Sequence, residues 1–225
     1  LNTLKIFSEM KVLQMSTFIS QKLAPKASID EMIGLYNYGS LRETISIGEN
    51  LVRQYPSTLV LYEILAAAYM GLENIDKTIE IYRKVLQITP DHSDANNNLG
   101  MIFYNKGQFD KAIEHYEKVV EIEPNYSDGH YNLGNSLKQT GNLKKAIKSY
   151  ELSLAISPKD VEVLLNYGNA LKSYGDFDQA IKIYAKALKI APNFADAHVN
   201  MENIINEKSE MENLSYEYAK LSNLE

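Results

Sequence analysis

The chain has 225 residues, of which 45% are hydrophobic and 23% charged, and this composition is typical of a globular protein. Its formal net charge of −6 at pH 7 argues against nonspecific binding to nucleic acid, which needs basic surfaces to displace counterions from phosphates. Without cysteine the chain can form no disulfide, thiolate nucleophile or cysteine–zinc site, and no apolar stretch approaches the roughly 18 residues that span a bilayer, so we expect no membrane insertion.

Residues 1–24 carry a stripe of apolar side chains at helical spacing. The stripe consists of Leu4, Phe7, Met10 and Leu13. We expect a helix that caps the first structural unit after it, although the same stripe could instead dock on a partner or mediate self-association with a second copy. Charged residues such as Lys5 and Lys11 interrupt the segment and no small-residue cleavage site follows it. These features argue against a secretory signal, and we expect a cytoplasmic protein.

The rest of the sequence is organised by an internal repeat of 34 residues. One proline recurs at this step, at Pro90, Pro124, Pro158 and Pro192. A glycine, an alanine and a tyrosine follow the same step, at Gly100, Gly134 and Gly168, at Ala112, Ala146 and Ala180, and at Tyr82, Tyr116, Tyr150 and Tyr184. Four registers with one period indicate successive copies of one structural unit.

Each copy has the pattern of two helices. The copies cover residues 25–58, 59–92, 93–126, 127–160 and 161–194, and a partial copy covers residues 195–225. Within a copy, an amphipathic run ends near a turn glycine such as Gly107, and a second run ends before the proline, which cannot continue a helix. We expect the recurring glycine and alanine to let the two helix backbones approach closely. A single hairpin cannot bury its own apolar face, so the hairpins are expected to stack.

The outer copies depart from this pattern. In residues 59–92 the glycine, the alanine and the turn glycine are replaced by Ala66, Thr78 and Glu73. Residues 25–58 match more weakly, with Thr44 in place of the alanine. The partial copy begins another first helix, but Glu202 takes the glycine position and no proline closes the copy. We therefore expect a separate final helix over residues 207–222 that caps the chain.

The repeat length and the pattern of glycine, alanine, tyrosine and proline resemble the tetratricopeptide repeat (TPR), most strongly over residues 59–205. The resemblance implies an all-α fold, a right-handed superhelix of helix-turn-helix repeats. It implies that the first helices line a concave groove and that the second helices form the convex back. The expected function is that of a non-catalytic scaffold that binds an extended peptide or a helix of another protein in the groove, without a cofactor or a metal.

The groove register contains a ladder of asparagines. The sixth residue of each repeat and the residue one turn later supply Asn98, Asn132, Asn166 and Asn200, and Asn135, Asn169 and Asn203. A carboxamide can pair with both the N–H and the C=O of a peptide backbone. The ladder is similar to that of the peptide-binding arm of O-linked N-acetylglucosamine transferases, but asparagine is also common here in TPR proteins that bind nothing through it, and both interpretations stay open.

Other groove positions offer aromatic, apolar and cationic groups. Side-chain pockets could be lined by Tyr104, Tyr131, Leu165 and Val199. Lys138 and Lys172, near the far end of the same helices, could meet an acidic or phosphorylated partner. A chaperone-tail clamp would need basic residues at the fifth position of the repeats, which instead hold Glu63, Asn97, Tyr131, Leu165 and Val199.

One alternative function belongs to a different class of protein. Some bacterial glycosyltransferases and sulfotransferases carry a very similar repeat arm ahead of a catalytic domain. The chain opens with Leu1 rather than methionine, which fits such a substrate-recruiting arm of a larger enzyme. The four histidines do not suggest catalysis or zinc binding, because no two of them have the i, i+4 spacing of a helical zinc motif.

Overall fold

The computed structural model describes residues 23–222, and within that range it contains helices and no strand. The helices are α1 (Lys26–Asn37), α2 (Leu41–Gln54), α3 (Leu59–Gly71), α4 (Ile75–Ile88), α5 (Ser93–Asn105), α6 (Phe109–Ile122), α7 (Ser127–Gln139), α8 (Leu143–Ile156), α9 (Val161–Tyr174), α10 (Phe177–Ile190) and α11 (Ala195–Ser222). The predicted all-α class is therefore confirmed. The capping helix predicted before residue 25 falls almost entirely outside the described residues. In the part of the chain that is described, no helix is both long and apolar enough to cross a membrane.

The chain divides into two compact units, residues 1–95 and residues 96–225, with the boundary in α5. In each unit, a first helix and a second helix form a hairpin, and odd-numbered helices are first helices. Helix boundaries follow local chemistry. The side chain of Asp160 accepts hydrogen bonds from the backbone N–H groups of Glu162 and Val163 and so caps α9.

The core of the first unit inverts the steric pattern of the later repeats. Met32 occupies the position that holds glycine in those repeats, and Gly48 occupies the position that holds tyrosine. Met32 is fully buried, and a Cβ added to Gly48 would lie 2.4 Å from the Met32 methyl carbon. The large side chain thus comes from the first helix and the small one from the second, so the same space is filled from the opposite side.

Threonine replaces the expected alanine twice in this unit without leaving a buried hydroxyl unpaired. Thr44 and Thr78 are both fully buried. The Thr44 hydroxyl donates to the Ser40 carbonyl oxygen and the Thr78 hydroxyl donates to the Asn74 carbonyl oxygen, each at 3.0 Å. Because a threonine hydroxyl can bond to the carbonyl four residues earlier in its own helix, it fits a site otherwise suited to alanine.

In the second unit, each recurring glycine makes room for a ring rather than for a backbone. A Cβ added to Gly100, Gly134 or Gly168 would lie 2.7, 2.8 or 2.4 Å from the tyrosine ring of the following second helix. Those rings belong to Tyr116, Tyr150 and Tyr184, and each is at most 2% exposed. The expectation that these glycines allow the helix backbones to approach is corrected here, because the nearest atoms are ring carbons.

The turn inside each hairpin needs a residue with a positive φ angle. The last copy has no such residue at this position, which explains why its helix continues without a turn. Positive φ angles occur at Gly39, Gly107, Gly141 and Gly175, and Glu73 takes the same place with a φ of 57°. The next position in this register, one repeat on, is Ser209. Helix α11 continues through it without a break. The separate first helix and capping helix expected over residues 195–225 are therefore one continuous helix over the described residues.

Candidate functional site

In the second unit, the first helices α7, α9 and α11 lie side by side and are joined by side-chain hydrogen bonds, and Asn98 on α5 has the same place in its repeat as Asn132. The Asn166 Nδ2 atom on α9 donates to the Tyr131 hydroxyl on α7 at 3.0 Å. The Asn200 Nδ2 atom on α11 donates to Asn169 Oδ1 on α9 at 2.9 Å. We call this surface the first-helix face and define it by Asn98, Tyr131, Asn132, Lys138, Asn166, Asn169, Lys172, Asn200 and Asn203. It contains most of the predicted site residues.

Two ladder asparagines, each one helical turn after the sixth repeat position, stabilise the fold through hydrogen bonds with buried tyrosines. The Tyr150 hydroxyl donates to Asn135 Oδ1 at 2.7 Å, and the Tyr184 hydroxyl donates to Asn169 Oδ1 at 2.6 Å. Burial raises the pKa of Tyr150 above its usual range and raises the pKa of Tyr184 to about 12. Both phenols therefore stay protonated as donors near neutral pH. Asn169 also accepts from Asn200, so both lone pairs of its amide oxygen are used.

Asn166 is fixed by contacts on both ends of its amide. Its Oδ1 atom accepts from Lys138 Nζ at 2.9 Å, and its Nδ2 atom donates to the Tyr131 hydroxyl and to the Glu162 carbonyl oxygen. An ammonium group has only donors and a carbonyl oxygen only accepts, so this orientation of the amide is the one that satisfies all the contacts. Asn166 therefore orients Tyr131 and Lys138, which are two turns apart on α7.

Three ladder asparagines have side-chain amides that make no hydrogen bond within residues 23–222: Asn98, Asn132 and Asn203. Asn98 and Asn132 are half-buried and occupy the same position of consecutive repeats, whereas Asn203 is exposed. A half-buried amide without a partner is a place where a ligand backbone could supply one. The sequence pattern alone does not separate these asparagines from Asn135 and Asn169, because the difference depends on which tyrosine hydroxyl reaches which amide.

The predicted pocket residues differ in how much surface they offer. Tyr104 and Tyr131 are half-buried, and Leu165 is only 8% exposed, so it belongs more to the core than to a pocket. Val199 is 54% exposed and Met101, in the register of Asn135, is 43% exposed. Exposed apolar groups on the same first helices are therefore found at Met101 and Val199.

The two predicted lysines have different surroundings. Lys172 Nζ pairs with Glu207 Oε1 on α11 at 2.8 Å. Lys138 is half-buried and, among the described residues, pairs with no carboxylate, and its Nζ atom donates to the neutral Asn166 amide instead. Burial lowers the pKa of Lys138 from its ordinary value. Sequence reasoning missed Glu207, which lies in α11 one residue more than a full repeat beyond Lys172.

The histidines have structural contacts. The Nε2 atoms of His130 and His198 contact the carbonyl oxygens of Pro124 and Pro192 at 2.9 and 2.8 Å. In the first unit, the Tyr62 hydroxyl donates to the equivalent carbonyl oxygen, that of Pro56. A side chain from the first turn of a first helix thus holds the loop before it. The described residues contain no group of three or more histidines and acids that could hold a metal.

Sequence comparison agrees with this architecture. Models described as "Tetratricopeptide repeat" match residues 60–92, 81–114 and 137–201, and one described as "TPR repeat" matches residues 100–141. These matches run without a gap from residue 60 to residue 201, which is more than half of the chain. The chain belongs to the tetratricopeptide-repeat family. A search of curated protein sequences found no significant match.

Solved structures show the same fold at low sequence identity. The crystal structure of MamA protein has a TM-score of 0.69 and 22% identity, covering 75% of this chain and 92% of that one. MamA from Desulfovibrio magneticus RS-1 has a TM-score of 0.68 and 18% identity, covering 75% and 96%. The structure of YrrB, described as a TPR protein with an unusual peptide-binding site, has a TM-score of 0.71 and 17% identity, covering 84% and 97%. At these identities the likeness concerns the fold alone. The similarity to transferase arms stays a prediction.

Proposed function

We propose that this chain is a non-catalytic protein-interaction scaffold that binds an extended segment or a helix of another protein on the first-helix face. The observation that carries the proposal is the pair Asn98 and Asn132. Both side-chain amides are half-buried, recur one repeat apart and make no hydrogen bond within the described chain. Each can accept from a peptide N–H and donate to a peptide C=O, which recognises backbone rather than side chains.

Hydrogen bonds supply only part of the affinity. At roughly 0.5–1.5 kcal/mol net for each hydrogen bond, two asparagines contribute a few kcal/mol. Micromolar binding needs about 8 kcal/mol. The exposed side chains of Met101 and Val199 offer apolar surface for the remainder. We therefore expect bound segments to combine a regular backbone with apolar side chains at intervals.

YrrB supports the proposal by analogy, since it is described as having a peptide-binding site on a protein of this fold. The proposed mechanism is reversible binding, and the other first-helix asparagines contribute by holding the face in shape. Asn135 and Asn169 do so through Tyr150 and Tyr184, and Asn166 does so through Tyr131 and Lys138.

The test begins with peptides selected from a random library on the purified chain. Their affinity is then measured by calorimetry on the parent and on the double variant Asn98→Ala, Asn132→Ala. We expect the double variant to bind about tenfold more weakly or worse, because two or more peptide hydrogen bonds are lost. The matched control is Gln179→Ala, which removes an exposed carboxamide from the second helix α10. Failure to select any peptide, or equal binding by all three proteins, would contradict the proposal.

A further inference from the structure

Lys138 is a cation on the first-helix face for which the described chain supplies no anion. It is half-buried, its Nζ atom donates to the neutral amide of Asn166, and no carboxylate of residues 23–222 pairs with it. Placing a charge partly out of water is costly when it has no counter-charge. The position of Lys138 in the last turn of α7 offers some compensation through the helix dipole. That compensation is available to Lys172 as well, which nevertheless has an ion pair.

Comparison with Lys172 shows that Lys138 lacks a carboxylate partner on the next first helix. Lys172, one repeat later, pairs with Glu207 on the next first helix. The residue of α9 that is equivalent to Glu207 is Ser173, which carries no charge. The repeat geometry that gives Lys172 an internal carboxylate therefore leaves Lys138 without one.

The groups around Lys138 are arranged as donors. The ammonium has three N–H groups and gives one of them to Asn166, so two remain. The Tyr131 hydroxyl accepts from Asn166 Nδ2, which leaves its own hydrogen for another acceptor. Lys138 Nζ and the Tyr131 oxygen each lie about 3 Å from one end of the same amide. One amide thus holds a cation at its oxygen and a neutral donor at its nitrogen, and both of these groups are half-buried.

We propose that Lys138 and Tyr131, held by Asn166, form a subsite for the carboxylate of an aspartate or glutamate in the bound segment. The proposal rests on the proposed function and adds the chemistry of one partner residue. A carboxylate matches one cation and one neutral donor, whereas a phosphate carries up to two charges and is usually met by several cations. The exposed acids Asp128 and Glu162 lie in the first turns of α7 and α9, so acidic partner residues are favoured at the lysine end.

The test uses the full chain and a peptide selected on it, with each acidic residue of the peptide replaced in turn by its amide. On the parent, we expect one such replacement to weaken binding by about tenfold or more, as for a charge-assisted hydrogen bond. On Lys138→Met, the same replacement should have no effect. Lys172→Met is the matched control, because it removes a lysine that already has an ion pair within the chain. On this variant the same peptide replacement should weaken binding as much as it does on the parent. Equal losses on Lys138→Met and on the parent would overturn the subsite.

A second variant does not depend on removing a charge from the face. Asn166→Asp places a carboxylate where it can pair with Lys138 inside the chain. We expect it to fold, because the ion pair with Lys138 offsets the lost hydrogen bond to the Glu162 carbonyl oxygen, and to bind the acidic peptide about as weakly as the parent binds the amide-substituted peptide. Unchanged binding of the acidic peptide by Asn166→Asp would contradict the subsite.

The outcomes separate the subsite from the proposed function. If peptides bind through Asn98 and Asn132 but no acid-to-amide change matters, the subsite is wrong and the scaffold function stands. If no peptide can be selected, the scaffold function itself fails. A phosphoserine that binds more than tenfold better than glutamate at the critical position, only when Lys138 is present, would replace the carboxylate assignment with phosphate.

Discussion

A glycine, a tyrosine and an asparagine recur together as a unit in the second half of the chain. In two successive repeats a glycine lies beneath a tyrosine ring, and the asparagine after that glycine accepts the tyrosine hydroxyl. Where Ala66 takes the glycine position, the corresponding Tyr82 is only half-buried, whereas Tyr150 and Tyr184 are fully buried. The glycine thus decides whether the ring enters the core, and the asparagine satisfies the hydroxyl that enters with it.

We predict that Gly168→Ala destabilises the protein, although alanine is the better helix former. A Cβ at this site would lie 2.4 Å from the ring of Tyr184, which has no exposed surface and little room to move. Overpacking of this kind costs about 1–3 kcal/mol, which exceeds the gain of about 1 kcal/mol in helix propensity. Chemical denaturation monitored by circular dichroism measures the net change.

The control for this prediction is the same substitution at a helical glycine with open space. Gly34, in α1, has no atom within 4 Å of an added Cβ. Gly34→Ala should stabilise the protein by about 0.5–1 kcal/mol. If Gly168→Ala melts at or above the parent temperature, the tyrosine ring is not the constraint that the structure indicates.

At the scale of single helices, the sequence predicts the hairpins well because their signals are local. Helix-period apolar residues, turn glycines such as Gly107 and closing prolines such as Pro124 act within a few residues of their position. The prediction of a separate helix over residues 207–222 was wrong, because it relied on the repeat period although no turn glycine stands at Ser209. The internal role of Asn135 was also missed, because its partner Tyr150 lies on another helix.

The first repeat shows how a hairpin can keep its packing while losing its sequence pattern. Met32 and Gly48 exchange the large and small roles of the later tyrosine and glycine. A motif that demands glycine at one position and tyrosine at the other therefore scores residues 25–58 as weak. Both arrangements pair one large side chain with a glycine on the facing helix, and neither position reveals this pairing alone.

A double-mutant cycle tests this exchange of volume. Met32→Gly should open a cavity and Gly48→Phe should overfill the core, each costing about 2–4 kcal/mol. The double variant restores the arrangement of the later repeats, with the ring on the second helix. We expect it to be at least 1 kcal/mol more stable than the sum of the two single effects. Additive losses would mean that the two side chains do not share one space.

At the scale of the whole molecule, the chain has a net charge of −6. On its first-helix face, one lysine has no carboxylate partner and several amides have no hydrogen-bond partner among residues 23–222. The composition argues against nonspecific nucleic-acid binding but does not distinguish one protein partner from another. The first-helix face is identified as the candidate binding surface because equivalent asparagines in successive repeats differ in their hydrogen bonds. Some ladder asparagines bond to the core, as Asn169 does, whereas others, such as Asn132, have no partner in the part of the chain that the structure describes.

The measurement that tests the central claim most directly is an NMR titration of the chain with a selected peptide. Backbone and side-chain amide resonances are assigned and followed as the peptide is added. The account predicts that the largest shifts fall on the first helices α5, α7 and α9 and include the side-chain amide signals of Asn98 and Asn132. Shifts confined to the second helices α6, α8 and α10, with those asparagine signals unmoved, would contradict it.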